Sequence, residues 1–227
     1  MEEKRSILCF GDSLTWGWIP VQEASPTLRY PFEQRWTGAM ARELGGEYHI
    51  IEEGLSARTT SVDDPNDPRL NGSTYLPSAL ASHFPLDLVI ILLGTNDTKS
   101  YFRRTAYEIA NGMGKLAGQV LTSAGGVGTT YPAPKLLIVA PPPLAPMQDP
   151  WFEGMFAGGY EKSVELSKQY RALASFLKVD FLDAGEFVST DGVDGIHFTA
   201  DTNVKLGSAI AKKVVEIFNR KPQPSAA

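Results

Sequence analysis

The chain has 227 residues, 43% of them hydrophobic and 21% charged, with a formal net charge of -5. That length suits one domain with a core large enough to stand without staples, and the acidic balance argues against nucleic acid or an anionic membrane as partner. The single cysteine, Cys9, leaves no internal disulfide that would point to secretion.

In chain order, Met1–Ser6 is charged and leads into the short apolar run Ile7–Phe10. That run is too short for a signal peptide and reads as a buried strand. Apolar residues at Phe32, Trp36, Ala39, Met40 and Leu44 have helical spacing, and Gly45-Gly46 stops the helix. Tyr48–Ile51 is a second strand. Leu86–Leu93 is almost continuously apolar, as a central parallel strand covered on both faces should be. Thr105–Leu121 is predicted helical, with Gly112, Gly114 and Gly118 permitting close packing on the sheet. Leu136–Ala140 is a fourth strand, ended by Pro141-Pro142-Pro143. Val164–Leu177 is a helix, Val179–Leu182 a fifth strand, and Asn203–Phe218 a closing helix. Ser61–Pro77, Ser123–Pro134 and Pro141–Gly159 read as long loops, which in a compact fold usually build a site or an interface.

This alternation predicts a three-layer α/β/α sandwich on a parallel five-stranded sheet. It forms one domain over residues 1–220, with a frayed tail over 221–227. No stretch is long and apolar enough to cross a bilayer, and the expectation is a cytoplasmic protein.

Ligands of open α/β sheets bind beyond the carboxyl ends of the strands, and the polar clusters fall there. Gly11-Asp12-Ser13 follows the first strand, Gly54-Leu55-Ser56-Ala57 the second, and Gly94-Thr95-Asn96-Asp97 the third. Asp194-Gly195-Ile196-His197 precedes the last helix. A serine hydroxyl needs a base to become a nucleophile, and histidine is the usual one. Of the three histidines, His49 lies in a strand and His83 at the end of a helix on the opposite sheet edge. Both read as packed or surface residues. His197 has Asp194 three residues before it, in a turn that can fold the carboxylate onto the ring and leave the other nitrogen for Ser13. The Ser13 and Ala57 N–H groups and the Asn96 amide are candidate donors to an oxyanion. The residues alone leave open whether Gly54 or Ala57 supplies the second donor, and Asn96 also reads as a turn residue.

Gly11-Asp12-Ser13-Leu14, Gly54, Gly94-Thr95-Asn96-Asp97 and the Asp194/His197 pair, in this order, resemble the blocks of the SGNH, or GDSL-type, hydrolases. GDSLTWGW, IEEGLSARTT, LLGTNDT, TSAGGVGTTYPAP and DGVDGIHFT look more narrowly like the bacterial arylesterase and acyltransferase branch. The resemblance implies a flavodoxin-like fold and a Ser13–His197–Asp194 triad. It also implies an oxyanion hole of Ser13, Ala57 and Asn96. It implies hydrolysis of short-chain and aryl esters without metal or cofactor, and acyl transfer to alcohols or hydrogen peroxide. It further implies a homo-oligomer, with an octamer as one candidate, whose loops narrow the entrance to the site. Leu14, Trp18, Thr95, Lys99, Phe152 and Phe156 are the candidate pocket residues.

The same residues also bear on other hydrolase and binding folds. An α/β-hydrolase elbow needs Gly-x-Ser-x-Gly, which Leu14-Thr15 after Ser13 does not supply. No phosphate-binding Gly-x-x-x-x-Gly-Lys loop is present. Asp63–Pro68 lacks the ligand spacing of a calcium loop and reads as a Pro-stiffened turn. A carbohydrate-specific deacetylase of the same superfamily and a non-catalytic binding protein on the same fold are the remaining alternatives.

Overall fold

The computed structural model describes residues 4–220, so the expected frayed tail lies outside the described residues. Five parallel strands, β1 (Arg5–Gly11), β2 (Tyr48–Gly54), β3 (Leu88–Leu92), β4 (Lys135–Ala140) and β5 (Asp180–Asp183), form one sheet in the order β2-β1-β3-β4-β5. This is the flavodoxin-like order, with its switch point beside β1. The helices are α1 (Ser13–Trp16), α2 (Trp36–Leu44), α3 (Gly72–His83), α4 (Ala106–Leu121), α5 (Pro150–Met155), α6 (Gly159–Leu177) and α7 (Ala200–Asn219).

Strand alternation assigns the two faces. Leu8, Phe10, Val89, Ile91 and Ile138 point to one side, where Leu76 and Leu80 of α3, Met113 and Leu116 of α4 and Leu166 and Tyr170 of α6 cover them. Ile7, Cys9, Leu88, Ile90 and Val139 point to the other, under Trp36 and Met40 of α2 and Leu206, Ile210 and Val214 of α7. The three layers expected from the sequence are therefore present.

Several boundaries differ. β2 runs on through Glu52 and Glu53 because their carboxylates find partners: Glu52 pairs with Arg29 and Arg35, and Glu53 with His83. The expected loop Ser61–Pro77 contains the start of α3, with Pro77 inside the helix. Pro77 cannot donate to the Ser73 carbonyl, and Gln119 Nε2 takes that acceptor at 2.7 Å. The expected loop Pro141–Gly159 holds α5, capped by Asp149, whose Oδ1 accepts from the Trp151 and Phe152 N–H groups. α6 starts at Gly159 rather than Val164. The α4 glycines do not face the sheet as expected. Gly112 lies against Thr60 and Ser61, Gly114 against Leu173, and Gly118 faces open space.

Register brings the polar clusters together. Gly11 pairs with Gly54 on one side and Leu92 on the other, so the loops after β1, β2 and β3 leave the sheet side by side. Gly54 permits the close approach, since a Cβ there would sit 2.4 Å from the Trp16 backbone nitrogen.

Candidate active site

Ser13 is the first residue of α1. Asp12 caps that helix through a hydrogen bond from Leu14 N–H to its Oδ1 at 2.9 Å. On the far side of the cleft, Gly195 takes φ +72°, and a Cβ there would press on the Ala145 and Pro146 carbonyls at 2.7 Å. The resulting turn wraps Asp194, whose Oδ1 accepts from Ile196 N–H at 3.0 Å and His197 N–H at 2.9 Å. Its Oδ2 lies 2.7 Å from His197 Nδ1, and His197 Nε2 lies 2.9 Å from Ser13 Oγ. The Trp18 ring stacks on the imidazole with centroids 5.3 Å apart. Burial acts to raise the Asp194 carboxyl. The hydrogen bond and charge of His197, with the two backbone N–H groups, outweigh it and hold the group below the usual carboxylate range.

Ala57 carries φ +68°, a left-handed conformation that costs a non-glycine residue about 1–2 kcal/mol. Its neighbour Arg58 ties the surrounding loop down. Arg58 Nη1 donates to the Gly11 carbonyl at 2.9 Å and to the Glu53 carbonyl, and its guanidinium lies 4.1 Å from the Phe10 ring centre. The Arg58 carbonyl in turn accepts from Asn96 Nδ2 at 3.2 Å. Burial lowers the Arg58 guanidinium to about 10, against the charges of Glu53, Tyr75 and Asp12. Asn96 Nδ2 also donates to Asp12 Oδ2 at 3.2 Å. Burial pushes the Asp12 carboxyl up to about 7, opposed by the Leu14 hydrogen bond and reinforced by Asp97. Asp97 is itself raised to about 6 by burial, although Thr60 donates to it from both N–H and hydroxyl and Arg104 lies nearby.

These groups open on a cavity of about 170 Å³ lined by Ser13, Trp18, Ser56, Ala57, Asn96, Lys99, Phe152, Met155, Phe156, Ile196 and His197. It is smaller than the roughly 300–1,000 Å³ of pockets for drug-sized ligands, which suits a short acyl group. Ser13 Oγ, the His197 imidazole and the Asp194 carboxylate thus form one continuous chain of contacts at a mostly apolar wall.

The GDSL-like lipase/acylhydrolase family matches residues 9–203. The chain belongs to this family. It is thus an esterase by family, and the solved structures it resembles agree. A carbohydrate acetylesterase from Sinorhizobium meliloti is 79% identical, with TM-score 0.94 over 95% of this chain and 100% of that one. The aryl esterase of M. smegmatis is 65% identical, with TM-score 0.93 over 93% of this chain and 99% of that one. A second carbohydrate acetylesterase family member from Sinorhizobium meliloti is 36% identical, with TM-score 0.87 over 95% and 100%. No curated protein matches the chain.

Within this GDSL site the sequence-predicted residues divide. Ser13, Asp194, His197, Ala57 and Asn96 come together, as do Trp18, Lys99, Phe152 and Phe156 around the cavity. Leu14 and Thr95 do not line it. Leu14 turns into the core under α2 and α7, because the α1 turn that presents Ser13 outward points its neighbour inward. Thr95 is 5% exposed and caps the Asn96–Thr98 turn, its carbonyl accepting from Thr98. Gly54, the alternative donor, is likewise absent from the wall. Phe156 serves two ends: it lines the cavity and packs with Leu144 and Ile196. His83 pairs with Glu53 at 2.8 Å, and His49 is exposed. In the Asp63–Pro68 turn, Asp64 is occupied by Asn66 and Tyr101. Sequence reasoning missed Ser56, Met155 and Ile196 in the wall. Their signals were slight: Ser56 and Ile196 adjoin predicted site residues, and Met155 follows Phe152 by three on one helix face.

Proposed function

We propose that this esterase cleaves short-chain and aryl carboxylic esters through an acyl-serine at Ser13. The observation that carries the reading is the unbroken relay from Asp194 Oδ2 to His197 at 2.7 Å and from His197 to Ser13 Oγ at 2.9 Å. His197 takes the serine proton as Oγ attacks the carbonyl carbon. The N–H groups of Ser13 and Ala57 and the Asn96 amide hold the oxyanion. The imidazolium then protonates the leaving alcohol, and water, an alcohol or hydrogen peroxide removes the acyl group from Ser13. Transfer to acceptors other than water is supported by the apolar wall of Trp18, Phe152, Met155 and Phe156, which disfavours water at the acyl-enzyme.

The identity with the M. smegmatis aryl esterase supports aryl esters as substrates, and that with the carbohydrate acetylesterase supports a second reading, deacetylation of sugars. A homo-oligomer and a cytoplasmic location belong to the same proposal. The exposed Trp151, 70% accessible on α5 next to the cavity-lining Phe152, supports a neighbouring subunit there. The test is an active-site phosphonate followed by a substrate panel with and without a primary alcohol. Labelling confined to Ser13, with acid and transferred ester both formed, is the expected result. A protein that the phosphonate leaves unlabelled would refute the acyl-serine route.

A further inference from the structure

Lys99 directly follows the Asn96–Thr98 turn and contributes to the cavity wall beside Ser13 and Ala57. The residue is only 5% exposed. Its amine finds no hydrogen-bond acceptor and no ion-pair partner among the described residues; its aromatic neighbour Tyr101 has its ring centre 6.0 Å away. Three carboxylates, Asp64, Asp12 and Asp97, act on it through space. Each already has its own donors. Asp64 accepts from Asn66 and the Tyr101 hydroxyl, Asp12 from Leu14 and Asn96, and Asp97 from Thr60 and Arg104. Trp18, Phe152, Met155, Phe156 and Ile196 make most of the same wall apolar, with Ser56, Asn96 and His197 its other polar members besides Ser13. An ammonium with unused donors in a mostly apolar wall is costly unless something fills it. Burial accordingly holds the amine below the usual lysine range.

We infer that Lys99 is a specificity residue that donates to an uncharged oxygen of the substrate, so the cavity favours acetylated polyols and sugars over esters of hydrocarbon alcohols. The oxygen is a hydroxyl, a ring ether or a second ester carbonyl, set a few bonds from the ester that Ser13 attacks. A neutral acceptor fits better than an anion, because Asp64, Asp12 and Asp97, which act on Lys99 through space, oppose added negative charge when ionised. The inference rests on the esterase reading at Ser13.

The experiment compares kcat/KM for glucose pentaacetate, phenyl acetate and 4-acetoxybenzoate in the wild type and in Lys99→Met, with active sites counted by phosphonate titration. Lys99→Met should lower the ratio of glucose pentaacetate to phenyl acetate about 10-fold, as loss of a hydrogen bond to substrate does. Lys99→Gln, which keeps a donor, should recover part of that ratio and carries the comparison if Lys99→Met does not fold. An unchanged ratio would overturn the inference and leave Lys99 a charge that steadies Asp12 and Asp97. A greater loss on 4-acetoxybenzoate than on glucose pentaacetate would overturn it too, since Lys99 would then read charge. A wild type that cleaves none of the three esters would instead sink the esterase reading itself.

Discussion

Asn96 Nδ2 donates to Asp12 Oδ2 across 3.2 Å, while the Arg58 carbonyl takes its other hydrogen at the same distance. Both bonds are long for N–H···O. A developing oxyanion can therefore draw one hydrogen into a shared arrangement without breaking the anchor that orients the amide. Asp12 thus acts on the proposed oxyanion hole through Asn96. Asp12→Asn keeps an acceptor for Leu14 N–H but turns a second amide NH2 toward Asn96. The expected result is a fall in kcat of about 10²-fold, the scale of losing one oxyanion donor, with KM changed only a few-fold. Steady-state kinetics on phenyl acetate would show it; equal effects on kcat and KM would argue against it.

The same aspartate governs stability against pH. Its carboxyl is raised to about 7 in the fold, and that of Asp97 to about 6, both chiefly by burial. An unfolded chain releases these protons near about pH 4. Between that value and 7 the native state holds protons that the unfolded state has lost, so stability declines as pH rises through the window. Asp194, held low, works the other way: its contribution is present above the unfolded pKa and disappears as pH falls through the folded one. From pH 5 to 7 the first two groups set the sign. Urea unfolding should show the wild type losing stability over this range and Asp12→Asn losing less. Parallel curves would mean that Asp12 is ionised throughout.

Asp194 makes three hydrogen bonds within one turn, two to backbone and one to His197 Nδ1. Asp194→Asn preserves the shape and one backbone acceptor but presents either a donor or a weak acceptor to Nδ1. The imidazole then loses the enforced tautomer that leaves Nε2 free for Ser13. The expected loss in kcat is about 10⁴-fold with the fold retained. Circular dichroism together with phosphonate labelling rates would check both halves of this expectation.

The Asp194–His197 contact was legible because Asp-x-x-His is a local pattern: a four-residue turn suffices to bring carboxylate to ring, whatever the rest of the chain does. The strands were legible because burial on two faces forces apolar runs such as Leu88–Leu92. The start of α3 was not, although a helix ending at His83 was expected, because Pro77 reads as a helix breaker. Its tolerance depends on Gln119, 42 residues further on, which accepts no role in any local pattern. Leu14 and Thr95 were misplaced for a related reason. Sequence adjacency to Ser13 and Asn96 says nothing of which way a single turn points its next side chain. Lys99 could be assigned to the wall but not known to lack a partner, since that depends on which donors Asp64, Asp12 and Asp97 already hold.

Arg58 offers the last prediction. It is 2% exposed and adjoins the proposed oxyanion hole. Its side chain binds the Gly11 carbonyl two residues before Ser13, its own carbonyl accepts from Asn96, and its backbone follows the strained Ala57. Arg58→Met leaves the Gly11 and Glu53 carbonyls without that donor and removes the stacking on Phe10. The Gly11 carbonyl keeps the Leu55 N–H, but a buried carbonyl that loses a charged donor costs about 1–3 kcal/mol, so the melting temperature should fall clearly. A purely structural role would stop there, with kcat per titrated site unchanged. If the clamp also holds Ala57 in its left-handed conformation, kcat should fall as well. Ala57→Gly should then weaken catalysis without comparable unfolding, because glycine tolerates φ +68° but does not enforce it. Thermal melts and titrated kcat for the two variants together separate a clamp on the donor from a brace for the sheet end.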